Sequence, residues 1–141
     1  MESTAPTSAS VAGPRLRVLA IDDEEQFRNA IKELLEPLGF EVKTTGDPVK
    51  ALELFTHGQG NYDVVLLDYF MPRMDGAKAF EWLRKLNPKI KVILCSGADE
   101  LRLRQLQTQH KVDGCIRKPF RTQELVQLVC KVTGRPLPPA R

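Results

Sequence analysis

Apolar and polar positions along the chain predict five strands that alternate with five helices. Short segments rich in apolar and β-branched residues predict strands at 16–21, 40–45, 63–68, 91–96 and about 113–117. Segments with apolar residues three or four positions apart predict helices at about 27–38, 48–57, 75–86, 99–110 and 121–133. Parallel strands need crossover connections, and right-handed crossovers place helices on both faces of a sheet. The pattern therefore predicts an α/β fold with a doubly wound, five-stranded parallel sheet.

The first predicted helix shows how these apolar stripes are built. Its apolar residues recur in steps of three and four, and Pro37 and Gly39 end the helix. The members of the stripe are Phe27, Ala30, Ile31, Leu34, Leu35 and Leu38. We expect such stripes to pack against the sheet. We interpret Trp82 as packing of the third helix and Met74 as part of a loop, rather than as cofactor contacts.

One folded domain with a tail at each end accounts for the sequence. A chain of 141 residues that is 42% hydrophobic is long enough for one compact core and too short for two. We assign residues 15–133 to this domain, 1–14 to a disordered tail and 134–141 to a Pro-rich tail. The first tail lacks the regions of a signal peptide, and no run approaches roughly 18 apolar residues, so we expect no membrane partner.

Charge and cysteine usage narrow the class of protein. Residues 1–100 hold 12 Lys and Arg against 16 Asp and Glu, a net charge of −4, whereas residues 101–141 hold 9 against 2, a net charge of +7. Acid chemistry is therefore expected early in the chain and a basic surface late. Cys95, Cys115 and Cys130 show no paired spacing for zinc or redox work, so we expect reduced thiols in a cytoplasmic protein.

The segment VVLLDYFMPRMDG, residues 64–76, places a single carboxylate, Asp68, at the end of a strongly apolar run. Such a run predicts a strand buried on both faces, and the carboxyl ends of parallel strands are where open sheets bind ligands. Alternatively, Asp68 ends the strand as an ordinary polar turn residue. This segment alone leaves both interpretations open.

Two further acids are expected close to Asp68. With the strand order 2-1-3-4-5, the first and third strands are neighbours, which brings Asp22 and Asp23 towards Asp68. Three carboxylates in one crevice repel one another unless a cation neutralises them. Oxygen ligands without His or Cys favour Mg²⁺ or Mn²⁺ over zinc. We therefore predict a divalent metal ion held by these aspartates.

Two more polar side chains follow the fourth and fifth predicted strands. Ser96 brings a hydroxyl group and Lys118 brings an ammonium group to the same edge of the sheet. A carboxylate, a divalent metal, a hydroxyl and an amine together suit phosphoryl transfer, in which positioning and charge neutralisation supply most of the catalysis. Asp68 would be the nucleophile and would become an acyl phosphate.

Residues 15–133 resemble the receiver domain of two-component response regulators, as in the chemotaxis response regulator. The matching segments are IDDEE at 21–25, LLDYFMPRMDG at 66–76, LCSGA at 94–98 and KPF at 118–120. Each is a weak signal by itself, but all fall at strand ends of one alternating pattern. The resemblance implies a flavodoxin-like fold and a signalling domain that is not an enzyme, beyond self-phosphorylation from small donors and self-dephosphorylation.

The resemblance also implies partners and roles for individual residues. A histidine kinase or phosphotransfer protein would donate a phosphoryl group from a phosphohistidine to Asp68. The metal ligands would be Asp22 through a water molecule, Asp23, Asp68 and the backbone carbonyl of Phe70. Ser96 would donate a hydrogen bond to the phosphoryl group, and Lys118 would pair with it. The Lys118–Pro119 bond would be cis.

Two positions depart from the pattern of the family. Where the family usually has a Tyr or Phe that moves inward on phosphorylation, three residues before the lysine, this chain has Cys115. We interpret Cys115 as a thiol that fills a short core strand, with the switch signal travelling by another route; a redox role is the alternative. Phe70, together with the small Ala98, would shield the acyl phosphate, so we hypothesise slow self-dephosphorylation.

A basic surface is expected on the last elements of the chain. Its predicted members are Arg102, Arg104, Lys111, Arg117, Arg121, Lys131 and Arg135. We interpret it as an ordinary solvated surface or as one that steers an acidic downstream protein, and a weak or phosphorylation-dependent homodimer fits the same elements. We do not expect nucleic-acid binding, because no recognition motif or interleaved aromatic residues accompany the charge. His57 and His110 lie away from the strand ends and have no predicted role.

Other functions fit the sequence less well. A haloacid-dehalogenase-type phosphatase needs a second acid two residues after its nucleophile, where this chain has Phe70. A flavodoxin-type carrier needs a phosphate loop that residues 22–25 would repel, and no G-x-G-x-x-G supports a dinucleotide site. A phosphorylation-independent interaction module remains as the alternative. We expect either a stand-alone receiver, which the Met1 start favours, or a piece of a longer regulator or hybrid kinase.

Overall fold

The computed structural model describes residues 15–71, 74–97 and 99–136. Its strands are β1 (Arg17–Ile21), β2 (Glu41–Thr45), β3 (Val64–Asp68), β4 (Lys91–Ser96) and β5 (Gly114–Arg117). Its helices are α1 (Glu25–Leu35), α2 (Pro48–Thr56), α3 (Gly76–Leu86), α4 (Glu100–His110) and α5 (Thr122–Thr133), and a 3-10 turn, Glu36–Leu38, follows α1. Within these residues the strands form one parallel sheet in the order β2-β1-β3-β4-β5. The predicted flavodoxin-like α/β fold is confirmed. The predicted tail at 1–14 and most of the tail at 134–141 lie outside the described residues.

Strand β3 lies at the centre of the sheet, and all of its residues are buried. It pairs with β1, where Leu67 lies opposite Ile21, and with β4, where Asp68 lies opposite Cys95. Leu67 packs into the apolar cluster on one face of the sheet and Leu66 into the cluster on the other face. Because helices cover both faces, a central parallel strand needs apolar residues at successive positions. This explains why a continuous apolar run precedes Asp68.

The helices divide between the two faces of the sheet. Buried residues of α2, α3 and α4, among them Ala51, Leu83 and Leu106, pack into one cluster. Ile31 of α1 and Leu125 of α5 pack into the other. Two apolar layers therefore enclose the sheet. No helix in the described ranges combines the length and the apolar character that crossing a membrane requires.

Three helices begin directly after an aspartate whose side chain caps the helix. Asp47, Asp75 and Asp99 each accept a hydrogen bond from a backbone amide in the first turn, at distances of 2.8 to 2.9 Å. These bonds satisfy amides that have no partner within the helix. The predicted starts of the third and fourth helices, at 75 and 99, are the capping residues themselves, so those helices begin one residue later than predicted.

Two side chains that the apolar pattern assigns to packing are exposed, so those assignments are wrong. Leu34 is 41% exposed because the buried side of α1 is centred on Ile31 and Leu35, which leaves Leu34 at the margin of the stripe. Trp82 is 44% exposed, and the ammonium of Lys85 lies 5.2 Å from the centre of its ring. A cation over an indole ring stabilises an exposed Trp without burying it.

Candidate functional site

Three aspartates meet at the carboxyl edge of the sheet. Because β1 and β3 are neighbours, Asp22 and Asp23, which follow β1, lie beside Asp68, the last residue of β3. One carboxylate oxygen from each residue lies within 4.8 Å of the other two. Asp22 and Asp68 are buried, whereas Asp23 is exposed. The cluster is therefore held in the protein on one side and open to solvent on the other.

Hydrogen bonds fix the backbone around Asp22. Its amide donates to the carbonyl of Thr45 at 3.1 Å, and its Oδ1 accepts from the amide of Glu24 at 2.9 Å. Nη1 of Arg28 donates to the backbone carbonyl of Asp22 at 2.7 Å. A Cβ atom on Gly46 would lie 2.5 Å from this Nη1, so the glycine leaves room for the guanidinium. Together these contacts hold the turn that carries the first two acids.

Lys118 reaches the cluster from the loop after β5. Its Nζ lies 2.6 Å from Oδ2 of Asp22 and 3.9 Å from Oδ1 of Asp68. The backbone amide of Lys118 donates to the carbonyl of Ser96 at 2.7 Å, which ties this loop to the end of β4. The Lys118–Pro119 peptide bond is cis, the isomer that the family resemblance implies. The amine that the sequence places at this edge is therefore in contact with the acids.

The electrostatics of the cluster centre on Asp68. Burial raises the pKa of Asp68 from 3.8 to about 7, and the charge of Asp22 acts in the same direction. The ammonium of Lys118 and the amide of Phe70, which donates to Asp68 Oδ1 at 3.4 Å, oppose this rise. For Lys118, burial lowers the pKa, but the hydrogen bond to Asp22 and the nearby carboxylates outweigh burial and raise it. The amine stays charged while Asp68 titrates near neutral pH.

The donor atoms of the cluster fit a hard divalent cation. Carboxylate oxygens from three residues converge within 4.8 Å, which suits the oxygen preference of Mg²⁺ and Mn²⁺. One ammonium group cannot neutralise three carboxylates, so a dication would relieve the remaining repulsion and lower the pKa of Asp68. Asp22, Asp23 and Asp68 would hold the ion. The role of the Phe70 carbonyl as a further ligand stays a prediction.

Ser96 and Cys115 occupy two strands on the β5 side of the cluster. Ser96 ends β4 one residue beyond Cys95, the residue opposite Asp68, and is fully buried. Cys115, on β5, is half-buried, and its thiol donates to the carbonyl of Leu103 at 3.6 Å. Burial raises the pKa of Cys115 to about 11, so the thiol is protonated at neutral pH. This environment supports a packing role for Cys115.

The sequence model described as "Response regulator receiver domain" matches residues 18–130. The chain belongs to this family. It is 28% identical over 123 residues to the response regulator MprA of Mycobacterium leprae, covering 87% of this chain and 53% of that protein. It is 35% identical over 113 residues to the sensor kinase CckA of Brucella abortus, covering 79% of this chain and 12% of that protein.

A solved structure of the same family also matches this chain. A response regulator receiver domain protein from Clostridium thermocellum is 30% identical with a TM-score of 0.76, and the match covers 84% of this chain and 94% of that one. The chain therefore corresponds to nearly the whole of a solved receiver domain. It spans only about half of MprA and a small part of CckA.

Several residues around the acids of this receiver domain make contacts that were not predicted from the sequence. A Cβ atom on Gly76 would lie 2.6 Å from the Cα of Tyr69, so the loop after Asp68 requires a glycine there; the Asp-Gly pair at 75–76 was the available signal. The ring of His110 lies 6.0 Å from that of Tyr69. Phe27, which the periodicity places in an apolar stripe, has its ring 4.1 Å from Nζ of Lys118.

Phe70 lies two residues after Asp68 and is largely exposed to solvent. Its side chain is 56% exposed, and its ring contacts that of Tyr69 edge-on, with the centroids 4.8 Å apart. Ala98, the other residue in the shielding hypothesis, lies outside the described residues. The shielding of an acyl phosphate by Phe70 therefore stays a prediction.

Most of the predicted basic surface of the receiver is exposed. The exposed members, which we call the basic surface from here on, are Arg102, Arg104, Lys111, Arg117, Arg121 and Lys131. Arg135 is half-buried, and its Nη1 lies 3.3 Å from Oδ1 of Asp63. Arg135 is therefore less exposed than the other members, with 35% of its side chain exposed, and it is already paired with an acid.

Proposed function

We propose that this receiver domain accepts a phosphoryl group on Asp68 and signals by contact with other proteins. The observation that carries this proposal is the position of Asp68 at the end of β3, buried, with the other two carboxylates within 4.8 Å and an ammonium group 3.9 Å away. The proposed donor is the phosphohistidine of a histidine kinase or phosphotransfer protein. Relatives named as a response regulator and as a sensor kinase support this choice.

The proposed reaction needs one nucleophile and groups that balance charge. A carboxylate oxygen of Asp68 attacks the phosphorus atom while the phosphorus–nitrogen bond breaks, and the imidazole leaves with that electron pair and takes up a proton. The products are an acyl phosphate and a histidine. Mg²⁺ or Mn²⁺, when bound, supplies positive charge to the phosphoryl oxygens. Lys118 pairs with the same oxygens after a short movement from Asp22, and Ser96 donates a hydrogen bond.

The domain is proposed to be a phosphoacceptor and not an enzyme that turns over a separate substrate. Its output would be a change in protein contacts, in the cytoplasm, with an acidic protein steered by the basic surface as the proposed target. Homodimerisation that depends on phosphorylation is compatible with the same elements. MprA and CckA extend well beyond the length of this chain. The function proposed here is therefore that of the receiver domain itself.

The phosphoryl group is expected to be lost slowly. A bulky ring at Phe70, directly beside the phosphoacceptor loop, leaves no polar group at that position to orient a hydrolytic water. The half-life of the phosphorylated form should therefore exceed that of a Phe70→Asn variant. Equal half-lives, measured by intact mass after removal of the donor, would contradict the hypothesis.

The first experiment is intact mass after incubation with Mg²⁺ and acetyl phosphate, beside an Asp68→Asn control. The proposal expects a gain of one phosphoryl group by the parent and none by the variant. A gain at the same rate by both would place the phosphoacceptor elsewhere. If the parent gains no phosphoryl group from two different donors, the result would contradict the proposal.

A phosphorylation-independent interaction module is the second candidate. One observation favours it: the position of the usual switch aromatic holds the half-buried Cys115, bonded to Leu103. In that case the receiver fold would bind its partner equally well before and after treatment with the phosphodonor.

A further inference from the structure

We propose that Phe27 is a positioning residue for Lys118 and holds its ammonium group at the carboxylate cluster through the face of its ring. This inference rests on the proposed function, because the position of Lys118 matters to a phosphoryl group arriving at Asp68. Nζ of Lys118 lies 4.1 Å from the centre of the Phe27 ring. This is well within the range in which the negative face of an aromatic ring attracts a cation.

The ring completes a set of contacts that surround the ammonium group. Nζ lies 2.6 Å from Asp22, 3.6 Å from Glu24 and 3.9 Å from Asp68. The Glu24 side chain is 67% exposed, whereas that of Lys118 is only 16% exposed. Glu24 attracts the ammonium group towards solvent, and the face of the Phe27 ring adds to the attraction of Asp22 in the opposite direction. The ring of Phe27 keeps the amine within reach of Asp68.

A second aromatic residue fixes the ring of Phe27. The ring of Phe120 meets it edge to face, with centroids 5.8 Å apart and an interplanar angle of 89°. Both rings pack against the apolar cluster beneath the acids. Phe120 lies two residues after Lys118, so α1 and the loop after β5 are joined through both the aromatic pair and the amine. The position of the ring is therefore set by the same loop that carries Lys118.

The chemistry of the ring, and not its volume alone, is the proposed determinant. The apolar stripe of α1 requires only a hydrophobic side chain at position 27, and a leucine would satisfy it. A leucine presents no negative face to the ammonium group. Replacing the ring by an aliphatic chain should leave the fold in place and loosen Lys118.

The test compares three variants of the full chain: Phe27→Leu, Phe27→Tyr and, as a control, Phe55→Leu. Phe55 is also half-buried but packs against Tyr62 on the opposite face of the sheet. The first readout is the NMR shift of the Lys118 Hε protons without metal, assigned with a Lys118→Arg variant, because a proton over a ring face resonates upfield. The second is the rate of phosphoryl gain from acetyl phosphate with Mg²⁺.

The inference expects upfield Lys118 Hε resonances in the parent that return to the position of other lysines in Phe27→Leu alone. It also expects a phosphorylation rate about two- to fivefold lower in Phe27→Leu, the equivalent of a cation–π contact of about 0.5–1 kcal/mol, and recovery of most of the rate in Phe27→Tyr. Unshifted Hε resonances in the parent would overturn it, as would a tyrosine variant as slow as the leucine variant. If the parent gains no phosphoryl group, the proposed function fails and the Hε shifts alone decide this inference.

Discussion

The acidic edge of the receiver, formed by Asp22, Asp23, Asp68 and Lys118, and the α4–β5 side of the same domain hold their charged groups in different ways. At the acidic edge, Lys118 and Asp22 form an ion pair of 2.6 Å with side chains that are 16% and 2% exposed. On α4, Arg104 and Glu100 pair at 3.0 Å with side chains that are 74% and 75% exposed. The first pair is fixed by burial and the second is free to exchange with water.

The same contrast extends to the neutral residues of the two regions. The loop after Asp68 requires Gly76, because any Cβ there would meet the backbone of Tyr69. On the α4–β5 side, Cys115 makes one weak hydrogen bond, to Leu103, beside an open groove of about 440 Å³. The difference indicates that the chain restricts geometry where phosphoryl chemistry is proposed and leaves it adaptable where contacts with partners are proposed.

The largest expected effect comes from removing the buried amine. A Lys118→Met variant should lower the free energy of unfolding by about 3–5 kcal/mol without metal, because the buried acids lose their only contacting ammonium in the described structure. Urea denaturation in the presence of a chelator measures this. Added Mg²⁺ should restore part of the loss, since it supplies the missing positive charge.

The matched control for this variant lies on the other region. Arg104→Met removes an exposed pair and should change the free energy of unfolding by less than about 0.5 kcal/mol. Equal losses in the two variants would show that the two regions do not differ in the way that their burial implies.

A slightly smaller effect is expected from the titration of Asp68. Without metal, the folded chain binds a proton at Asp68 up to about pH 7, whereas the unfolded chain releases it near 3.8. Between these values the folded state binds more protons, so stability falls as the pH rises and stays reduced above pH 7. The free energy of unfolding of an Asp68→Asn variant should therefore exceed that of the parent by on the order of 2–4 kcal/mol at pH 8.

This pH dependence has a direct check. The difference in free energy of unfolding between the asparagine variant and the parent should shrink as the pH falls from 7 towards 4. Urea denaturation at several pH values in the presence of a chelator measures this difference. A constant difference across this range would mean that Asp68 keeps an ordinary pKa in the folded chain.

The fold and the cluster of acids follow from the sequence because both depend on topology. Continuous apolar runs indicate β3 and β4, since parallel strands covered on both faces typically carry them. Once the strand order is known, Asp22 and Asp68 must share an edge, whatever their rotamers. Lys118 follows for the same reason, as it comes directly after the last strand.

Contacts between side chains from distant elements do not follow from the sequence. Periodicity places Phe27 and Leu34 on one stripe, yet one lies beneath Lys118 and the other faces solvent. The rotation of α1 about its axis decides between these outcomes, and a 3.6-residue repeat leaves that rotation uncertain by tens of degrees. The ion pair of Arg135 with Asp63 is a similar case, because it joins the segment after α5 to the residue before β3.

The contrast between the regions can be sharpened with a pair of glycines. Gly76→Ala should lower the free energy of unfolding by about 1–2 kcal/mol, because the 2.6 Å approach to backbone outweighs the gain of about 1 kcal/mol in helix propensity. Gly97→Ala, in the loop before α4, meets no atom within 4 Å and should stay within about 0.5 kcal/mol of the parent. Thermal or urea denaturation of both variants measures the difference, and a cost at Gly97 as large as that at Gly76 would contradict it.

The smallest effect is expected at position 115. Cys115→Tyr introduces the ring that the family usually has, and the adjacent groove, lined by Leu103, Gln107 and Ile116, gives it space. We therefore expect a change of less than about 1 kcal/mol in stability. After phosphorylation, amide hydrogen exchange in α4 should respond more strongly in the variant than in the parent. A loss of more than roughly 3 kcal/mol in the free energy of unfolding would show that the α4–β5 side is as tightly packed as the acidic edge.

The ion pair of Lys118 with Asp22 joins residues that are 96 positions apart in the chain. All three aspartates leave the ribosome long before the amine that balances them. A nascent chain that ends before Lys118 therefore contains the acids but cannot assemble the charge arrangement that would hold a phosphoryl group. A domain whose synthesis stops before the loop that follows β5 would thus be silent towards the proposed phosphodonor, whatever acids it already displays.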